Sequence, residues 1–301
     1  MAKKLNVRSY NLNIAGYNIR FEAADGGFEL IPSSRFQRFI SGKSDPDILI
    51  NVLSVPFTLP PDALMVFHAP LIEEKDGGKI KKSDDFWSIY SHHNDIYIKT
   101  ILPHSVDPKA ALLKFSLTSR NWELYIDGAS GETDPFDYPL DGLVLYYLTV
   151  INGDIMIHAS GADHSGHGYV FSGVSGKGKT TLSKLWDNAG AKIIHDDRLI
   201  LRNIDGNYKM FNTPVYDNEE PSESTLTRIY LIEHGTENSS FPLNGATAVS
   251  QVMTNCIQHN WDPEIIARLM DSLSNMCTDV PVEKLSFKPD SSIVDFILYH
   301  E

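Results

Sequence analysis

The sequence predicts an α/β protein in two parts: a mostly β domain over residues 1–133, then an α/β domain over 138–301. Three observations carry this. Apolar residues recur at two-residue spacing through about the first 130 residues, the period of a half-buried strand. The run Asp134-Pro135-Phe136-Asp137-Tyr138-Pro139 then interrupts the pattern and reads as a linker. Beyond it the order becomes strand, turn, strand, glycine loop, helix, strand, the alternation of an α/β domain.

In the first part, Leu5, Val7, Leu12, Ile14, Ile19 and Phe21 alternate around a turn at Ala15-Gly16. Ile48 to Leu53 is a further strand, Phe86 to Tyr90 and Ile96 to Ile101 flank a turn at His92-His93-Asn94, and Trp122 to Ile126 follows. Pro56, Pro60, Pro61 and Pro70, with Gly77-Gly78 and the lysine-rich stretch 79–82, predict a long loop region. In the second part a helix is expected over Leu140–Val150, then strands at Ile155–Ser160 and Tyr169–Ser172. The helix from Lys179 to Asn188 places Leu182, Leu185, Trp186 and Ala189 on one stripe and stops at Gly190. A strand is expected over Lys192–Arg202. Nearer the end, Asp262 is positioned to cap a helix with Pro263 in its first turn, with the stripe Ile265, Ile266, Leu269, Leu273 and Met276.

Composition narrows the function. Lys plus Arg number 26 against 39 Asp plus Glu, a formal charge of −13, which argues against nucleic acid held by a general basic footprint. An anionic ligand must then be met by a local cluster of donors and cations. Two cysteines, Cys256 and Cys277, are too few for a disulfide framework or a zinc module, and read as small buried hydrophobes in helical patterns. The longest apolar run, Leu143 to Ile151, is far short of the roughly 20 residues that span a bilayer. No apolar run follows the basic start Met1-Ala2-Lys3-Lys4, so a cytoplasmic setting without membrane partners is expected; a homo-oligomer stays open.

Gly173-Val174-Ser175-Gly176-Lys177-Gly178-Lys179-Thr180 matches G-x-x-x-x-G-K-[ST] at every fixed position, after a strand and before an amphipathic helix. Each type has a reason. Gly173, Gly176 and Gly178 let backbone N–H groups of the loop, Ser175 included, converge on phosphate oxygens. The helix start adds N–H groups at Lys179, Thr180 and Thr181 and the positive end of its dipole. The Lys179 ammonium neutralises phosphate charge, and the Thr180 hydroxyl suits Mg²⁺. Lys177 faces either phosphate or solvent. The expected ligand is ATP with Mg²⁺.

The second element is Ile193-Ile194-His195-Asp196-Asp197-Arg198-Leu199, with the first acid 17 residues after Lys179. Two adjacent carboxylates at the end of a buried strand need a cation or hydrogen bonds to offset desolvation. One acid of the pair suits a metal and the other the proton of a substrate hydroxyl. Loop, helix and acidic strand in direct succession resemble the C-terminal domain of HPr kinase/phosphorylase and the nucleotide site of phosphoenolpyruvate carboxykinase. The string Ser175 to Ser183 is similar to the carboxykinase loop, and Asp196-Asp197 to the paired acids of both families. Ile157-His158-Ala159-Ser160 resembles the strand that carries a catalytic-site histidine in HPr kinase-like proteins; Thr213-Pro214 and Ile229 to Ile232 fit their later strands. The resemblance covers about residues 138–290 and implies the roles of Asp196 as base, Asp197 as metal ligand and His158 as a catalytic contact. Val174 stands where HPr kinases usually carry an acid, and their Arg-Gly-Ile-Gly segment is missing.

Four other readings stay beside these. His158 also reads as an ordinary strand histidine, and His195 as a buried strand end or a proton relay. His164 and His167, within 161–168, and His92-His93 read as hydrophilic turns. The expectation is an ATP- and Mg²⁺-dependent phosphotransferase acting on a hydroxyl of a protein or small molecule. The alternatives are a nucleotide-binding regulatory module without turnover and a carboxykinase-type lyase.

Overall fold

The computed structural model describes residues 8–24, 27–42, 45–75, 78–102, 109–174, 176–259 and 261–299. The expected strand positions Leu5 and Val7, the turn residue Gly77 and the loop residue Ser175 lie outside the described residues. The fold is mixed α/β with large sheets. It divides into two compact units, Met1–Tyr147 with Tyr216–Asn218, and Leu148–Val215 with Glu219–Glu301. The division falls inside the helix α1 (Leu140–Asn152) rather than in the stretch 134–139.

The first unit is built from β1 (Ser9–Ile14), β2 (Tyr17–Ala23), β3 (Phe28–Leu30), β4 (Ile48–Leu53), β5 (Leu64–Lys75), β6 (Gly78–His92), β7 (Asp95–Leu102), β8 (Lys109–Phe115), β9 (Asn121–Ile126) and β10 (Gly131–Thr133). Eight of them form one sheet in the order β1-β2-β4-β9-β8-β7-β6-β5, and β3 pairs with β10. The alternation read from sequence is the burial pattern: Leu12, Ile14, Ile19, Phe21, Ile50, Val52, Trp122 and Leu124 are buried. The expected loop region is corrected in its second half. Residues 64–75 and 78–92 form an antiparallel hairpin, with β5 at the sheet edge. Pro70 falls at a register shift of that edge strand, between Ala69 and Leu71, where its missing N–H costs the least. Pro70 marks a bulged edge and not a break, while Pro56, Pro60 and Pro61 lie in the irregular chain before β5.

The second unit contains β11 (Ile155–His164), β12 (His167–Ser172), α2 (Lys179–Asn188), β13 (Lys192–His195), β14 (Arg198–Ile204), β15 (Asn207–Asn212), β16 (Glu223–His234), β17 (Ser239–Leu243), α3 (Gly245–Met253), α4 (Pro263–Asp279), β18 (Val282–Phe287) and α5 (Ser292–Tyr299). Side chains alternate across β12. Tyr169 and Phe171 pack with Leu182 and Trp186 of α2 and with Ile293 and Ile297 of α5. Val170 points the other way, into a core with Val249 and Val252 of α3 and Leu273 and Met276 of α4. The sheet is therefore covered by helices on both faces. Each large side chain so buried contributes about 1.5–3 kcal/mol.

Local signals at the helix ends behave as expected. Asp262 accepts from the backbone N–H of Glu264 at 2.7 Å and Ile265 at 3.4 Å. Gly190 takes φ 85 after α2, while Gly190 and Ala191 donate to the carbonyls of Asp187 and Trp186, a Schellman stop. Cys256 is not helical; it is buried at a bridge to Ile157, and burial raises its thiol pKa. Cys277 in α4 is pushed up to about 11 by burial, so both thiols stay protonated and inert.

Two strand expectations change, and both reshape the site. The hydrophilic stretch 161–168 is not a long turn: β11 and β12 pair as far as His164 and His167, leaving Ser165-Gly166 as the turn. The expected strand 192–202 is two strands. β13 pairs with the later half of β11 and β14 with its first four residues, so Asp196 and Asp197 occupy the bend between them. Apolar content alone did not mark that break, because both halves are buried.

Candidate active site

β12 runs parallel to β16 and ends at Ser172, which delivers the glycine loop to the start of α2. The loop is packed closely against its surroundings. A Cβ on Gly173 would lie 3.1 Å from Ile232 Cγ1 and 3.2 Å from the Ile232 carbonyl oxygen. Gly178, at φ 96, precedes α2, and a Cβ there would come within 2.7 Å of Phe287 Cζ and 3.0 Å of His234 Cε1. Any other residue at Gly178 would meet both a disfavoured backbone and a clash. The first helical bond of α2 runs from Leu182 N–H to Gly178 carbonyl at 2.9 Å. The preceding amides of Lys179, Thr180 and Thr181 thereby have no acceptor within the helix and are the first-turn donors that an anion would use.

Lys179 is buried, and its Nζ donates to the Gly173 carbonyl at 2.7 Å, folding the side chain back over the loop. Burial lowers its pKa, and the Asp197 carboxylate acts in the opposite direction. Lys177, Gly176 and Thr180 are exposed, Gly178 and Thr181 half-buried. His234 Nε2 lies 3.2 Å from the Gly176 carbonyl oxygen, so the end of β16 braces the loop.

The acid bend is held from three sides. Ala159 N–H donates to the Asp197 carbonyl at 3.0 Å, tying the bend to β11. His158, on the same strand, places Nδ1 3.2 Å from Asp197 Oδ1. That contact first, then the charges of His158 and Arg198, hold the Asp197 carboxyl below the usual range against the opposing effect of burial. The third support is His195. Its buried ring accepts the backbone N–H groups of Asp197 and Arg198 on Nδ1, both at 3.0 Å. With Nδ1 an acceptor, the neutral ring carries its proton on Nε2, which faces Glu219 Oε1 at 3.0 Å. Glu219 in turn accepts from Val215 N–H through Oε2 at 2.9 Å.

His158 and Asp197 thus come together, with Lys179 close enough to feel the Asp197 charge, while Asp196 lies half-buried in the same bend. His195 is the buried end of β13, and its Nδ1 is in addition the acceptor for the two amides of the bend. Glu219, His234 and Arg198, whose Nε donates to Thr213 Oγ1 at 3.0 Å, were missed as site residues. No local motif marks them, because their roles depend on strands far apart in sequence. The histidine next to the acids was the available hint.

Among solved structures, the Hpr(Ser) kinase/phosphatase from Coxiella burnetii is similar to this chain, with a TM-score of 0.29 and 10% identity. The match covers 48% of this chain and 95% of that one. No family model and no curated protein matches the sequence. The residues of the loop and the acid bend are the ground for a functional reading.

Proposed function

We propose that this chain is an ATP- and Mg²⁺-dependent phosphotransferase of the HPr kinase-like kind, acting on a hydroxyl group. The observation that carries the reading is a buried loop lysine, Lys179, within electrostatic reach of a carboxylate held below its usual range, Asp197, that His158 faces from the neighbouring strand. Phosphoryl transfer asks mainly for positioning and charge neutralisation, which is what such a set supplies. The loop Gly173 to Thr181, with Ser175, Gly176, Lys177 and Gly178, would cradle the phosphates, and Lys179 would leave the Gly173 carbonyl to neutralise them. The donor set fits Mg²⁺: a carboxylate kept ionised at Asp197 and a hydroxyl at Thr180 in the first turn of α2. When bound, the ion neutralises phosphate charge. Asp196, the second acid of the bend, would accept the proton of the acceptor hydroxyl. His158 holds Asp197 ionised and in place.

Calorimetry and a transfer assay with seryl peptides and polyols test this. Lys179→Ala should remove one charge-assisted contact worth about 1.5–3 kcal/mol, or roughly 10- to 150-fold in ATP affinity. Equal ATP binding by wild type and variant would overturn the phosphate-site assignment. Tight ATP binding with no transfer to any acceptor would leave a nucleotide-binding module in place of a kinase.

A further inference from the structure

In the first unit, away from the loop, three side chains with metal-binding atoms meet at one end of the β6–β7 hairpin. His92 closes β6, His93 begins the two-residue turn to β7, and Asp62 follows Pro60-Pro61 ahead of β5. Among the described residues, Asp62, His92 and His93 are the group of three whose ligand atoms all lie within 4.8 Å of one another. His92 Nε2 is 3.1 Å from Asp62 Oδ1. Ligand atoms on a tetrahedral cation with bonds of about 2.0–2.2 Å sit about 3.3–3.6 Å apart, so this pair is already at nearly the required separation. The His93 ring packs edge-on against His92, with centroids 4.1 Å apart and planes at 63°. Its nitrogen lies within 4.8 Å of the other two ligand atoms, so a displacement of at most about 1.5 Å completes the triangle, which an exposed ring makes by side-chain rotation.

The turn is unusual within this chain. The hairpin turns Ala15-Gly16, Ser165-Gly166 and Asp205-Gly206 each pair a positive-φ residue with a positive-φ glycine. The β6–β7 turn has no glycine; His93 itself takes φ 53. Asn94 stands where those turns have glycine, and His93 takes the left-handed first position held elsewhere by Ala15, Ser165 and Asp205, which sets its imidazole beside a second imidazole and opposite a carboxylate.

We propose that Asp62, His92 and His93 form a binding site for a zinc-type first-row divalent cation, with three protein ligands and an open position for water. Two imidazoles and one carboxylate favour such an ion over the hard, all-oxygen preference of Mg²⁺ or Ca²⁺. Bound there, the cation clamps the segment entering edge strand β5 to the β6–β7 hairpin. The competing account is a plain His92–Asp62 hydrogen bond at a polar turn.

The test uses the full chain, freed of metal by a chelator and dialysed, titrated with zinc chloride at neutral pH in the presence of Mg²⁺. One zinc per chain with micromolar affinity is expected. Asp62→Asn, His92→Ala and His93→Asn should each weaken it by about 10- to 100-fold or more, whereas His158→Ala should leave it unchanged. Asparagine at His93 tolerates the positive φ, and far-ultraviolet circular dichroism confirms that each variant is folded. No binding at millimolar zinc, or an undiminished site in the triple variant, overturns the assignment.

Discussion

His195→Ala is the sharpest probe of how the acid bend is made. In the wild type a buried imidazole accepts two backbone N–H groups on one nitrogen and faces Glu219 with the other. Alanine deletes the acceptor and leaves a void. A buried donor left unpaired costs about 1–3 kcal/mol, so two would cost about 2–6 kcal/mol if dry. Asp197 and Arg198 are only half-buried, so water can reach the freed amides, and the lower end, about 2–3 kcal/mol, is expected. His195→Asn keeps an acceptor near the place of Nδ1 and should recover about half of the loss. Urea unfolding, followed by the fluorescence of Trp186 in the packed face of the same unit, reads the stability. Hydrogen exchange at the amides of residues 197 and 198 reads the bend itself, and protection should fall in His195→Ala and return in part with asparagine. If His195→Ala stays within about 0.5 kcal/mol of wild type with those amides still protected, the argument that His195 folds the bend is wrong.

Three further outcomes are expected. Asp197→Asn should weaken nucleotide affinity and its Mg²⁺ dependence together. Asp196→Asn should instead leave ATP binding nearly intact and lower transfer by roughly 10²–10⁴, as for loss of a general base; full transfer by Asp196→Asn would remove that role. In the first unit, burial pushes Asp134 up to about 6, although the Phe136 and Ser33 amides donate to it at 2.9 and 3.3 Å. Because this pKa is raised on folding, the folded state binds the proton more tightly, and the Asp134 contribution to stability grows as pH falls from about 6 to about 4. The full swing corresponds to about 3 kcal/mol, so the stability difference between Asp134→Asn and wild type should be larger at pH 7 than at pH 4. A pH-independent difference in urea midpoints would contradict it.

The sequence by itself determined the parts whose physics is local. Glycines at Gly173, Gly176 and Gly178, a lysine and a threonine next in line, and an apolar stripe at Leu182 and Trp186 specify a loop and a helix through backbone freedom and periodicity. The cap at Asp262 and the alternation along β1, β2 and β9 are legible for the same reason. Only the tertiary structure decided where chemistry converges. His158 reaches Asp197 because β11 changes partner from β13 to β14 at the acid bend. Glu219 reaches His195 across an intervening hairpin, and His234 reaches the loop from the end of β16. Such contacts are set by strand pairing and register, which depend on competition among all apolar segments at once. Nothing in a short window of sequence encodes them. The hairpin of 64–92 was missed on the same ground: proline, glycine and lysine signal a loop locally, yet here they fall in the edge strand β5 and in β6 paired with it.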